Sequence, residues 1–303
     1  LKTWNDWQVC VRKNFLELDR LGKIETALFT RQELVTGVGA LPFYCGVHPE
    51  SNCCFTHKIG LPKHPDTLVP TPIAPYQLEF IDTISNTNHR EFHVNKSRQI
   101  GFTEIMLRIL QYRGFNKYKG KLNIIIAGTR EKTTKHIFGR FVALYDNIPQ
   151  EIERKEGNLG LRLRDGTEFI GLPASPEAIT GLTKIGAIFV DEAAKFNLID
   201  DQPVMNAVKP IVDINRSDLF LISTPKGRRG FFYNIDIEEN SFLKLKYNIW
   251  HGVPWIYTKE RAEEMLKDPT VDGEQEYLNQ YTTSRSSIFG SDYTEEEYEA
   301  EVY

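Results

Sequence analysis

The sequence predicts an α/β fold, a mainly parallel central sheet flanked by helices, and three observations predict it. Ala187-Ile188-Phe189-Val190 and Leu219-Phe220-Leu221-Ile222 are unbroken apolar runs of strand length, the pattern of strands buried on both faces. Phe92-His93-Val94-Asn95 reads as a third strand that breaks at once into a tight turn with a glycine and then a helix. Strand and helix patterns alternate along the chain between these runs, as they do where each strand is followed by a helix that covers the sheet.

Taken in order, residues 1–40 alternate apolar and charged positions at helical spacing, with Trp4, Trp7, Phe15 and Leu16 as the buried side. They read as a small helical subdomain packed on the core, or else as a lid or a contact surface for a neighbouring subunit. Pro62, Pro65, Pro70, Pro72 and Pro75 mark an extended connector. A helix over 76–88, a strand over 91–95, a helix over 103–114, a strand over 122–127 and a helix over 131–146 follow. Leu161-Arg162-Leu163-Arg164 then meets Asp165-Gly166 and Thr167-Glu168-Phe169-Ile170-Gly171, a hairpin with its turn residues in place. Strands over 187–190 and 218–222 complete the sheet. These patterns divide the chain into an N-terminal helical and extended subdomain (1–60), a core (61–255) and a C-terminal helical segment leading to a linker (256–303). The start at Leu1 without Met and the stop at Tyr303 suggest an excised or processed fragment.

Chemistry concentrates in the turn after the first strand. Lys96-Ser97-Arg98-Gln99-Ile100-Gly101-Phe102-Thr103 keeps the final Gly and Thr of a G-x-x-x-x-G-K-[ST] loop. Such a loop cradles phosphates on backbone N–H groups and gives its hydroxyl to Mg²⁺. Phe102 stands where the lysine is expected, and a lysine appears instead at the loop's first position, Lys96. A flexible ammonium reaches the same oxygens from the other end of a short loop. The 187–190 run ends in Asp191-Glu192, an acidic pair at the carboxyl end of a buried strand, where open α/β sheets bind ligands. Acids are also favoured at that place simply by a following helix N-terminus. The 219–222 run, another buried strand, ends in small polar residues, Ser223-Thr224-Pro225-Lys226-Gly227.

In this order the motifs resemble one family. Lys-Ser-Arg-Gln-x-Gly-x-Thr, then apolar-Asp-Glu-Ala, then Ser-Thr-Pro-x-Gly with Phe231, Phe232 and Tyr233 close behind, look like the ATPase domain of the terminase large subunit. That family comprises the DNA-packaging motors of tailed viruses, in some of which the loop lysine is displaced as here. Pro75-Tyr76-Gln77-Leu78-Glu79-Phe80 resembles the family's adenine-contacting Q motif, and Leu172-Pro173-Ala174-Ser175-Pro176-Glu177 the segment ahead of its acidic strand. The likeness covers about residues 50–290. It implies an ASCE-type P-loop NTPase that uses ATP with Mg²⁺. Gln77 would meet the adenine, and Lys96, Ser97, Arg98, Gln99, Ile100, Gly101, Phe102 and Thr103 the phosphates. Thr103 and Asp191 would organise the metal. Glu192 would activate water and Lys96 hold the phosphates; Arg98 would contact the γ-phosphate or sense its loss, or else be a plain phosphate clamp, and Ser223, Thr224 and Pro225 would sense the γ-phosphate. The partners implied are double-stranded DNA, a portal protein and the terminase small subunit. The chain would act as a homo-oligomeric ring when assembled and be a monomer in isolation, in the cytoplasm of the host cell. Full-length members carry a nuclease after the ATPase, and none is read here. Many members place an Arg before the Gly ahead of the acidic strand; this chain has Thr180 before Gly181. Arg162, Arg164, Arg228 and Arg229 are the substitutes. A helicase-like translocase and a scaffold that kept the fold but lost hydrolysis, motivated by the absent lysine at 102, are the alternatives.

Composition bounds these readings without choosing among them. A chain of 303 residues, 41% hydrophobic and 26% charged, suits an ordinary globular protein with one large or two modest cores. Its net charge of −4 gives no hint of a nucleic-acid partner, yet a local basic face is all that binding needs. No stretch has membrane-spanning length and no signal-peptide pattern opens the chain. Four cysteines make no disulfide scaffold at this length and suit a reducing compartment. Cys45, His48, Cys53 and His57 could together hold zinc. The favoured reading makes Cys53-Cys54-Phe55 a buried apolar strand instead.

Overall fold

The computed structural model describes residues 41, 43–44, 54–64, 67–128, 131–196 and 201–282. Trp4, Trp7, Phe15, Leu16, Cys45, His48, Cys53 and Pro65 lie outside them. Two helices precede the sheet, α1 (Phe55–Ile59) and α2 (Pro75–Ser85). The sheet then alternates with helices: β1 (Glu91–Lys96), α3 (Phe102–Gly114), β2 (Leu122–Ile126), α4 (Glu131–Ala143), β3 (Ile152–Glu156), β4 (Gly160–Leu163) and β5 (Glu168–Leu172). There follow α5 (Pro176–Ile179), β6 (Ile185–Asp191), α6 (Gln202–Asn215), β7 (Asp218–Ser223), α7 (Gly230–Ile237), β8 (Leu243–Tyr247), α8 (Lys259–Lys267) and α9 (Gly273–Glu276).

The eight strands lie in the order β3-β4-β5-β2-β6-β7-β1-β8. All pairings from β5 to β8 are parallel, and only the β3–β4–β5 arm is antiparallel. Strand β7 therefore separates β1 from β6, which places the ends of these three strands side by side. Registers fix the alignment: Asn95 of β1 pairs with Ser223, and Asp191 of β6 with Ile222.

Alternation along the central strands builds two hydrophobic layers. Ile125, Phe189, Phe220 and Ile222 face one cluster, with Phe80, Phe102, Phe138 and Phe141 from α2, α3 and α4. Ile124, Ile126, Ile188, Val190, Leu219 and Leu221 face the other, with Val204, Val208 and Phe231 from α6 and α7. Helices thus cover both faces, which is why the strands read as continuous apolar runs. Among the described residues no helix is long and apolar enough to cross a membrane.

The structure corrects the sequence reading in several places. The helix expected over 76–88 ends at Ser85, where Asn86 caps it with its N–H on the Asp82 carbonyl, and the helix expected to 146 ends at Ala143. Phe55 opens a short helix rather than lying in a strand, with Cys54 as its N-cap. Both are buried, as the apolar reading requires, and the Cys54 thiol lies 3.2 Å from His57 Nδ1. Strands β3 (Ile-Glu-Arg-Lys-Glu) and β8 (Leu-Lys-Leu-Lys-Tyr) escape the sequence reading because both are edge strands rich in charge, the usual protection against edge-to-edge pairing.

Candidate active site

Strand β1 ends at Lys96, α3 starts at Phe102, and the five residues between are held from below on every side. The Ser97 amide donates to the Tyr247 carbonyl (2.7 Å) and the Arg98 amide to the Glu276 carbonyl (2.9 Å). The Tyr257 hydroxyl donates to the Gln99 carbonyl (3.1 Å). Ile100 presents its carbonyl to the Tyr76 hydroxyl (2.5 Å) and to Gln77 Nε2 (3.3 Å). Burial pushes the Tyr76 phenol well above its ordinary range, so it remains a donor. Gln99 and Gly101 both adopt left-handed backbone, with φ of 58° and 77°. A Cβ on Gly101 would sit 2.8 Å from Gln77 Nε2, so glycine is required there twice over. With its carbonyls turned down, the loop leaves the first amides of α3, which have no intrahelical partner, for an anion above.

Phe102 explains where the lysine went. Its ring is fully buried at 4.8 Å from Tyr247, 5.2 Å from Phe80 and 6.0 Å from Tyr76, centre to centre. The first side chain of α3 thus points into the core and is cut off from any phosphate. Lys96, the last residue of β1, is the lysine of this loop, and its Nζ is directed at Glu192.

The acidic pair meets the loop directly. Thr103 Oγ1 donates to the Asp191 carboxylate, 3.1 and 3.0 Å from its two oxygens. Lys96 Nζ lies 2.9 Å from Glu192 Oε1. Burial pushes Asp191 up to about 6, against the pull of Lys96 and with some help from Glu192. Burial also raises Glu192, but Lys96 and Lys195 more than offset it and hold the carboxyl below its ordinary value. Glu192 sits on left-handed backbone at φ 52°, just past the end of β6 and beside the end of β7. There its Oε2 faces Thr224 Oγ1 at 3.3 Å and Ser223 Oγ at 3.4 Å; Pro225 follows, buried.

The sequence-predicted set therefore gathers at one end of three adjacent strands. The arrangement offers amides and an ammonium that can meet phosphates, an ionised carboxylate that can accept a proton, and two hydroxyls against that carboxylate. Gln77 lies beneath the loop, with Nε2 on Ile100 and Oε1 accepting from the Ala74 amide (3.1 Å). Arg98 reaches sideways to Glu276 (Nε–Oε2 2.5 Å), which holds the guanidinium above its ordinary value. The substitute arginines have partners elsewhere: Arg162 pairs with Glu153 and Glu168 on the antiparallel arm, Arg164 donates to the Gln150 carbonyl and Arg228 to that of Tyr281. Arg229 is exposed before α7, and Thr180 ends α5 with its hydroxyl on the Pro176 carbonyl.

A hydroxyl and a buried carboxylate in contact are a hard, all-oxygen donor pair. They fit Mg²⁺, which takes one or two protein oxygens and fills its shell with water and substrate phosphates. Sequence reasoning missed Lys195, Glu276, Tyr76 and Tyr257 as site residues. Lys195 had a local signal, three residues beyond Glu192, whereas Glu276 is 178 residues from Arg98 and had none. A separate cleft of about 580 Å³ between α6 and α7, beside Met205, Phe231 and Phe242, lies away from these groups.

No family model matches the sequence, and no curated protein matches it. Solved structures do. The fold is similar to the large terminase ATPase domain of Thermus phage P74-26 (TM-score 0.56, 22% identity, 75% of this chain and 97% of that one). It is also similar to the large terminase of the thermophilic bacteriophage D6E in complex with ADP (0.55, 13%, 70% and 54%). A third likeness is to the HK97 bacteriophage large terminase (0.57, 15%, 71% and 52%). The chain thus matches nearly all of an isolated ATPase domain and about half of the longer terminases, and its fold is similar to theirs.

Proposed function

We propose that this chain is the ATPase domain of a terminase large subunit, hydrolysing ATP to drive double-stranded DNA into a viral procapsid. The observation that carries the reading is the pairing of Lys96 with Glu192 beside the Thr103–Asp191 contact, on a fold similar to terminase ATPase domains. The first amides of α3 and Lys96 bind the β- and γ-phosphates, the Ser97 and Arg98 amides being taken by the Tyr247 and Glu276 carbonyls, while Phe102 contributes its amide and anchors the loop through its ring. Thr103 and Asp191 would hold Mg²⁺, which when bound neutralises phosphate charge. Glu192, ionised at neutral pH, takes the proton of the attacking water; the γ-phosphate draws Lys96 toward itself and leaves the carboxylate free to do so. Ser223 and Thr224 feel that change through their contacts with Glu192, and Gln77 sets the loop beneath the nucleotide. Double-stranded DNA, portal protein and small subunit are the partners of this reading. The chain is a monomer alone and a ring when assembled, in the host cytoplasm.

Mg-dependent ATP hydrolysis by the purified chain tests the proposal. Glu192→Gln should bind ATP and lose turnover by about 10²–10⁴-fold, and Lys96→Ala should lose hydrolysis as well. Turnover within tenfold of wild type in Glu192→Gln, with binding intact, overturns the assignment of the base. Absence of hydrolysis in the wild-type chain, alone and with DNA and portal, favours the scaffold reading.

A further inference from the structure

The site contains more charge than the proposed reaction uses. Five side chains form an alternating line across the mouth of the loop: Lys96, Glu192, Lys195, Glu276 and Arg98. Lys96 meets Glu192 at 2.9 Å, Lys195 lies 3.9 Å from the other oxygen of Glu192, and Lys195 Nζ is 3.2 Å from both oxygens of Glu276. Arg98 closes the line on Glu276 at 2.5 Å. Lys195 rides the turn directly after the acidic pair. Glu276 comes from α9, the short helix that packs against the loop from the C-terminal side.

The simplest account of Glu276 is that it ties α9 to the loop. Backbone bonds already do this: the Glu276 carbonyl accepts from the Arg98 amide (2.9 Å), and the Ile249 amide donates to the Tyr277 carbonyl (2.9 Å). The neighbouring Gln275 adds a further tie, its Oε1 accepting from the Gly227 amide (2.7 Å). The Glu276 carboxylate is therefore surplus to docking. Its 15% exposure, against 49% for Arg98, makes it the fixed partner and the arginine the movable one. Three cations face two carboxylates here, so the line holds a net positive charge beside amides arranged for phosphate.

From these contacts we infer that Glu276 is a positioning residue that competes with the γ-phosphate for Arg98 and Lys195, and that Lys195 is a second cation, after Lys96, that the γ-phosphate recruits. The inference rests on the ATPase reading above. A terminal phosphate bound over the first turn of α3 needs the two cations that Glu276 occupies, and both cannot be fully satisfied at once. ADP, which ends at the β-phosphate on the first amides of α3, does not enter this competition. Glu276 thereby sets how strongly the site distinguishes ATP from ADP, and nucleotide exchange moves charge between the loop and α9.

The test measures affinities for a non-hydrolysable ATP analogue and for ADP, each with Mg²⁺, by calorimetry on the full chain. Partly screened ion pairs set the scale, so Glu276→Gln should tighten the ATP analogue about two- to fivefold and leave ADP unchanged. Lys195→Gln should weaken the ATP analogue by a similar factor with ADP again unchanged. A purely structural Glu276 predicts that both ligands weaken together and that melting falls. Equal shifts for the two nucleotides, or an unchanged ATP analogue in both variants, overturn the inference while leaving the ATPase reading standing. If the wild-type chain binds neither nucleotide, both fail. Should Glu276→Gln not fold, the Lys195→Gln comparison decides alone.

Discussion

Restoring the usual lysine should damage this protein rather than improve it. Phe102→Lys would place an ammonium where a fully buried ring now packs against Tyr76, Phe80 and Tyr247. Losing a buried Phe alone costs about 3–5 kcal/mol, and a charge without a carboxylate partner adds to that or forces the lysine to deprotonate. Total stabilities are about 5–15 kcal/mol, so the variant keeps a fold only if that reserve is ample. At about 2–4 °C per kcal/mol for a domain of this class, a loss near the lower figure lowers melting by about 6–12 °C. Thermal melts of the wild type and the variant measure this. The companion assay asks whether Phe102→Lys rescues ATP hydrolysis in a Lys96→Ala background. It should not, because the side chain at 102 points to the core. Melting within about 2 °C of wild type, or recovered turnover in the double variant, would refute the account of why the lysine stands at 96.

Gly101→Ala should weaken nucleotide binding severalfold, since φ is 77° and the new Cβ would lie 2.8 Å from Gln77 Nε2; adding Gln77→Ala should recover part of the loss, and calorimetry on the two variants checks it. His93 is buried with its Nε2 on the Phe232 carbonyl, and burial pulls it down to about 4, with Lys244 and Lys246 supporting and Asp236 opposing the shift. The unfolded chain therefore takes up this proton first, and stability should fall as pH drops from about 6.5 toward about 4. Melting curves across that window should be flatter for His93→Gln, and an unchanged slope would dismiss His93 as the cause. DNA binding should be weak, indifferent to sequence and steeply salt-dependent, as phosphate contacts alone require; affinity that varies with sequence at constant salt contradicts it.

What the sequence shows of this fold is what local chemistry writes into it. Strands β6 and β7 were legible because strands buried on both faces must be apolar throughout, and the loop because its Gly and Thr sit at fixed places before a helix. Edge strands β3 and β8 were not, since their lysines and glutamates face solvent and keep other chains from pairing there, and so imitate loop sequence. At the site, Lys96, Thr103, Asp191 and Glu192 were readable and the structure brings them into contact. Phe102 was readable only as an anomaly until its aromatic neighbours appeared. Glu276 could not be found from sequence at all, because α9 reaches the loop through tertiary packing and no spacing rule connects them.

The strand order sets these groups side by side. Because β7 lies between β1 and β6, its last residues stand between the strand that carries the lysine and the strand that leads to the base, and the registers hold them there. Thr224 and Ser223 touch the Glu192 carboxylate, so any movement of that group is felt at the start of the 224–229 turn. Two residues past Pro225, the Gly227 amide donates to Gln275, the neighbour of the residue that holds Arg98. A displacement starting at Lys96 can therefore pass to Glu192, to the end of β7, to α9 and back to the loop through contacts of 2.5 to 3.4 Å. In the ATPase reading proposed above, the arrangement seen here, with the carboxylates on the cations, would be one of two, the other having a phosphate there. Such bistability is what a switch driven by a γ-phosphate requires.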